Sequence, residues 1–438
     1  MKLSRRGLLK GAGVAGAAGV AAGAGTTVAS GDTSGVDVSR SVEWGRQGEP
    51  VPYTEYATHT VSKDGSGDFG TIQDAVLGAA ENDLILVEPG VYNETVEIHE
   101  TPRLTVRGTD RNEVVVDGGF ERYNGFNITA DATVVENLTV RRFNANGVYW
   151  TNGVEGYRGS YLTAYNNRKY GIYAFSGQHG RFENCYASGH DDAGFYIGES
   201  QPANAVVSDC IAENNAMGYS GTNAGGNLVI KDSVWRNNMC GIVPNTLDSQ
   251  ENAPQGHLQG GIRIENNEIH DNNNMNAPAY EVAYPVAGNG ISVAGGTRND
   301  ILDNEVRNQA KYGIAITPIM DDNFYSPVKN AVMHNTVEGS GRADLALGAP
   351  ASGNVFSEND FGVSRPAAVE MRPGSFGDPW VTLQMLKDFT QAGMVGSYHS
   401  GETEDQPVPE DQPGMSDPGN EPPKTPVGME AGIETEGV

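Results

Sequence analysis

The sequence predicts an all-β chain wound as a right-handed parallel β-helix. About ten coils of roughly 23 residues follow a short N-terminal capping helix. Two observations carry this. A Gly-anchored phrase recurs as Gly147-Val148-Tyr149-Trp150, Gly171-Ile172-Tyr173-Ala174, Gly194-Phe195-Tyr196-Ile197, Gly218-Tyr219-Ser220-Gly221, Gly241-Ile242-Val243-Pro244, Gly290-Ile291-Ser292-Val293 and Gly313-Ile314-Ala315-Ile316. The spacings are 24, 23, 24, 23, 49 and 23, the fifth holding one repeat plus an insertion of 26 residues. Within each repeat, short β-rich runs such as Ala205-Val206-Val207 alternate with Asn, Asp and Gly clusters, leaving no room for a helix of about ten residues.

Taken in order, the first 30 residues read as a twin-arginine export signal. Ser4-Arg5-Arg6-Gly7-Leu8-Leu9-Lys10 precedes a Gly-, Ala- and Val-rich run, and Thr27-Val28-Ala29 suits cleavage. A span of about 20 strongly apolar residues is missing there, so the segment is read as cleaved rather than as an anchor. Residues 31–55 are read as a linker, 56–365 as the β-helix, 366–400 as a C-terminal cap or flank, and 401–438 as a disordered acidic, Pro-rich tail. That tail holds ten acidic residues and almost no large apolar one.

Charge sets the environment. Lys plus Arg total 29 and Asp plus Glu 56, for a formal charge of −27. Such a surface repels nucleic acid and anionic membranes and stays hydrated in molar salt, so a secreted, halophilic protein is expected. The closed coils call for no partner, so a monomer is expected. Three cysteines, Cys185, Cys210 and Cys240, suit buried thiols better than a disulfide framework.

The repeat also orders the core. Residues one place after each Gly (Val148, Ile172, Phe195, Tyr219, Ile242, Ile291, Ile314) should form an inward ladder, and those two places further on a second, because strand side chains alternate. Asn144, Asn167, Asn214 and Asn237, with His190 at that phase in the third coil, suit an Asn ladder in one turn.

Val61-Ser62-Lys63-Asp64-Gly65-Ser66-Gly67-Asp68-Phe69-Gly70-Thr71-Ile72-Gln73-Asp74-Ala75-Val76 and Gly90-Val91-Tyr92-Asn93-Glu94-Thr95-Val96 resemble the opening of pectinesterases. Over residues 56–361 the chain resembles the pectin-lyase-like right-handed β-helix superfamily. The resemblance implies a capping helix over 71–80. The catalytic phrases of pectinesterases have no counterpart in the sequence, so esterase activity is not expected.

Candidate chemistry centres on Ser188-Gly189-His190-Asp191-Asp192-Ala193-Gly194-Phe195-Tyr196-Ile197-Gly198-Glu199. Aligned by Gly, Arg168 stacks on Asp191 and Lys169 on Asp192, with His190 beside them. Superfamily lyases pair Ca²⁺-binding carboxylates with an Arg or Lys base, and its hydrolases use an Asp pair for acid and base. Asp191, Asp192, His190, Lys169 and Arg168 are therefore the catalytic candidates; a structural salt-bridge ladder explains the same residues. Tyr149, Tyr173 and Tyr196 form an outward aromatic strip suited to sugar rings and, with Glu199, are the substrate-binding candidates. Ca²⁺ could be held by Asp191 and Asp192 or by Asp321 and Asp322. The insertion, with Asp248, Glu251, His257, Asp271 and Glu281, is expected to wall a groove. Together these suggest a lyase or hydrolase of acidic polysaccharide, or a non-catalytic carbohydrate-binding β-helix.

Overall fold

The computed structural model describes residues 50–248, 258–279, 285–395 and 401–426. The export signal, Glu251, His257 and Glu281 lie outside them.

Three all-parallel sheets run the length of the described chain, with 12, 11 and 11 strands. Each coil visits them in fixed order: a strand of sheet I (Glu155–Ser160), one of sheet II (Thr163–Tyr165), one of sheet III (Tyr170–Phe175), then sheet I again (Gln178–Glu183). Eleven coils result.

Backbone chemistry makes the corners. From the strand Thr133–Glu136 onward, the residue just after each sheet I strand has positive φ: Asn137, Tyr161, Asn184, Asp209, Asp232, Asn266, Asp303, His334 and Glu358. The corner after sheet II repeats the device at Arg142, Asn166, Gly189, Asn214, Asn237, Asp271 and Asn308. Asn and Asp dominate because their short polar side chains lower the cost of left-handed backbone.

The inward ladder is as expected: Val148, Ile172, Phe195, Tyr219, Ile242, Ile291 and Ile314 are all fully buried, and neighbouring members pair in register. The Asn ladder is shifted in part. It runs through Asn167, His190, Asn215, Asn238 and Asn272, with Asn215 and Asn238 each linked to the next by side-chain bonds of 2.9 and 3.0 Å. Asn214 and Asn237 are the left-handed corner residues beside it, because those two coils carry one residue fewer between corner and Gly. The ladder explains the recurring Gly: a Cβ on Gly171 would lie 2.6 Å from His190 Nε2, and one on Gly147 would lie 2.9 Å from Asn167 Nδ2.

The helix Ile72–Gly78 buries Ile72, Ala75 and Val76 over the first coil, with Thr71 Oγ1 accepting from Asp74 N. At the other end Val369 enters the core, and Glu370 Oε1 accepts from Asn359 N and Nδ2. The helix Pro379–Val395 lies along the outer face of sheet III, where Val381 packs on Ala315 and Ala346.

Residues 401–426 correct the expectation of a disordered tail. They return along the outside of the early coils as an extended strap. Gln406 O accepts from Asn166 Nδ2, Pro413 O from Arg111 Nη1 at 2.6 Å, Met415 N donates to Asn137 Oδ1, and Pro418 O accepts from Arg107 Nη1 at 2.9 Å. Polar main chain, not apolar side chains, fixes the strap, so its composition gave no sign of order. The strap covers an ion-pair ladder on sheet I: Glu136 pairs with Arg107 at 2.7 Å and Arg158 at 2.8 Å, and Arg158 with Glu183 at 2.6 Å. Cys185, Cys210 and Cys240 are free and buried.

Candidate functional site

Sheet III places the tyrosines. Tyr149, Tyr173 and Tyr196 pair in register on consecutive coils, pointing away from the core ladders on either side. Tyr149 and Tyr173 stack with centroids 4.5 Å apart and planes 19° apart, while Tyr196 meets Tyr173 edge-on at 4.9 Å and 84°. The strip is therefore neither flat nor wholly exposed, since Tyr196 is only 6% accessible. The reason is a fourth ring: Tyr170 packs 4.4 Å from Tyr173 and 4.8 Å from Tyr196. Its row one place before the Gly reads Tyr170, Ala193, Met217, Cys240, and that regularity could have been found in the sequence.

Tyr170 also reaches the acidic pair. Its hydroxyl donates to Asp192 Oδ2 at 2.8 Å. Asp191 and Asp192 occupy the corner leading into the strand Ala193–Gly198, half-buried beside the rings. Burial, and secondarily the Asp192 charge, push Asp191 up to about 8 against the pull of Lys169 and Arg168. Burial raises Asp192 to about 6 against the Tyr170 hydrogen bond and Lys169. Asp191 Oδ1 is buried without a hydrogen-bond partner among the described residues. Two neighbouring carboxyls thus differ in proton affinity, as acid–base chemistry requires.

The other candidates divide. His190 is turned inward, fully buried, with ring nitrogens 2.9 Å from Asn167 O and 3.2 Å from Ala164 O. Burial lowers it to about 4, so it is a neutral rung of the turn ladder and not part of the site. Lys169 and Arg168 hold the expected register, with Asp192 N donating to Lys169 O at 3.2 Å, yet neither forms an ion pair with Asp191 or Asp192 among the described residues. The Arg168 side chain instead lies 5.9 Å from the Phe120 ring and pairs with Glu404 of the strap, a partner the sequence could not reveal. Glu199, at the far end of the strand with φ 52°, accepts from Asn223 Nδ2 at 3.2 Å and does not join the acidic pair.

The Ca²⁺ expectation is not supported by the donor sets. Asp192 Oδ2 is already engaged by the Tyr170 phenol, and the two adjacent carboxyls have no third acidic or histidine ligand beside them among the described residues, whereas Ca²⁺ takes about six to eight oxygens. Asp321 Oδ2 accepts from Asp248 N at 2.9 Å, and Asp248 in turn accepts from Asn323 and Tyr325. This ties two loops together, and among the described residues no group of three or more His, Cys, Asp or Glu could hold a metal. Asp271, another insertion residue, pairs with its neighbour His270 at 2.7 Å. Of the insertion's described residues, Val286 and Ala287 pack on Ala193, Met217, Cys240 and Val243 at the outer face of sheet III. A cavity of about 320 Å³ lies apart from these groups, lined by Tyr53, Glu55, Arg103 and Thr425 where the strap ends.

Comparison with known proteins follows the architecture. Residues 146–323 match the family described as right handed beta helix region. A pectinesterase/pectinesterase inhibitor of Arabidopsis thaliana is 34% identical over 86 residues, 18% of this chain and 15% of that protein. A probable pectinesterase of the same plant is 34% identical over 79 residues, 17% of this chain and 27% of the relative. The chain thus spans less than a third of the length of either. Among solved structures, the A-module of the Azotobacter vinelandii mannuronan C-5 epimerase AlgE4 aligns at TM-score 0.47 and 15% identity, covering 69% of this chain and 95% of that one. An alginate lyase from Paenibacillus sp. aligns at 0.42 and 13%, covering 70% and 99%. The family match over residues 146–323 and the three all-parallel sheets agree: this chain folds as a right-handed parallel β-helix.

Proposed function

We propose that the chain acts on polysaccharide, cleaving an acidic glycan laid across Tyr149 and Tyr173, with Asp191 as proton donor and Asp192 as its ionised partner. The observation that carries this reading is the contact of Tyr170 with both the tyrosine cluster and Asp192, which joins an aromatic sugar platform to a pair of unlike carboxyls. Lys169, half-buried at the same corner, supplies positive charge for a substrate carboxylate. A hydrolytic role fits better than a lyase role for Arg168, because a base that abstracts a proton must be free, and this guanidinium is held by Glu404. The pectinesterase likeness is to a protein named for the ester of a uronate polymer, in keeping with the substrate class. Export through the twin-arginine route to a salt-rich exterior, without nucleic-acid or membrane partners and as a monomer, completes the proposal.

Incubation with a panel of uronate polysaccharides, following reducing ends and unsaturated products, tests it. Reducing ends that vanish in Asp191→Asn are expected; no product from any polymer overturns catalysis. A second reading, glycan binding without turnover, is favoured by the near-complete burial of Tyr196, which narrows the platform. It predicts binding that Tyr149→Ala with Tyr173→Ala abolishes, and no products.

A further inference from the structure

The tyrosine rows do not stop at Tyr149. One coil earlier its register partner is Asn127, and one coil earlier again Glu97. Two residues further along the same strands, and so on the same outward face, stand His99 and Thr129. These four side chains are joined. Glu97 Oε2 accepts from His99 Nε2 at 2.5 Å and from Asn127 Nδ2 at 2.9 Å, and His99 Nδ1 lies 2.9 Å from Thr129 Oγ1. Gln73 of the capping helix fixes the edge strand, its side-chain oxygen accepting from Glu97 N at 2.7 Å and its amide donating to Glu97 O at 3.3 Å.

Glu97 and His99 nevertheless remain 44% exposed each, so this is a held but open polar surface, unlike the ion pairs beneath the strap. Both bonds to Glu97 use Oε2, and Oε1 takes part in neither. From Glu97 to Tyr149 is two coil steps, roughly 10 Å along the helix axis. The outward positions between and beside them (Asn127, Thr129, Thr151) carry no positive charge.

We infer that Glu97, His99, Asn127 and Thr129 form a second sugar subsite, continuous with the tyrosine platform, that takes an uncharged, hydroxyl-rich pyranose unit. The inference rests on the proposed glycan reading and adds polarity to it. The chain end bearing a free carboxylate lies toward Lys169, and the unit over Glu97 is neutral or esterified, because an anionic unit there would meet Glu97 with no cation to offset it. Hydroxyls donate to Glu97 Oε1 and Thr129 Oγ1 and accept from Asn127 Nδ2, while a ring face rests on Tyr149.

Calorimetric titration of the full chain with size-graded galacturonan oligosaccharides, free and methyl-esterified, tests this. Wild type should bind long esterified oligomers more tightly than short ones. Glu97→Gln and His99→Gln should each reduce that length-dependent gain about tenfold, leaving short-oligomer binding unchanged. Thermal unfolding of both variants is the control for folding. Wild type that binds, with both variants keeping the full length dependence, overturns the subsite alone. Equal binding of free and esterified long oligomers overturns its charge selectivity. A wild type that binds no oligomer of any length overturns the glycan reading itself, and the subsite with it.

Discussion

The phenol of Tyr170 donates to Asp192 Oδ2 across 2.8 Å, from one coil to the next. A donor on a carboxylate favours its charged form. Tyr170→Phe should therefore raise the Asp192 titration above about 6 and move the acid limb of any activity profile upward. Carboxyl chemical shifts followed against pH check this; an unmoved titration would show that the bond does not tune Asp192.

The acidic pair sets a pH window. Asp191 protonated below about 8 and Asp192 ionised above about 6 give activity between those limits. Asp191→Asn should remove the basic limb together with most turnover. Stability has its own sign. A carboxyl raised from 3.8 to about 8 leaves its stabilisation intact below pH 4 and loses it as pH rises toward 8. Denaturant midpoints measured from pH 4 to 8 should fall more steeply in wild type than in Asp191→Asn.

His190 is a rung of the turn ladder, so His190→Asn, which installs the residue type of Asn167 and Asn215, should fold and keep its glycan affinity. His190→Ala should destabilise by about 1–3 kcal/mol through unpaired buried groups. Loss of glycan affinity in a fully folded His190→Asn would return His190 to the site.

Glu136 sits between Arg107 and Arg158, with none of the three more than 6% exposed. Glu136→Ala should cost about 3–5 kcal/mol, because two guanidiniums lose their shared counter-charge. Truncation before Gly401 should destabilise in the same direction, since Arg107 and Arg111 lose carbonyl acceptors. Thermal unfolding measures both; a truncated chain melting at the wild-type temperature would mean that the strap contributes nothing.

The inward ladder from Val148 to Ile314 was legible because a solenoid copies local spacing directly into space. One Gly per coil fixes which residues pair and which face they take. The tyrosine rows were legible for the same reason, although Tyr170 was missed because it precedes the Gly phrase instead of lying within it. Asn214 and Asn237 were misplaced on the turn ladder because they precede their Gly by the same number of residues as Asn167 and His190, and only the left-handed corners show that those two coils are shorter there.

Sequence alone thus determined the fold class, the coil period, the two core ladders and the face carrying Tyr149, Tyr173 and Tyr196. All of these depend on alternation and a repeat of about 23 residues. Tertiary structure decided what no repeat encodes: Tyr170 on Asp192, Glu404 on Arg168, the ordered strap, and the union of Glu97 with His99 and Asn127. The physical reason is range. Register propagates from each coil to the next through backbone hydrogen bonds. The ionisation of a carboxyl and the partner of an arginine depend instead on burial and on segments up to 315 residues apart, whose meeting leaves no period in the chain.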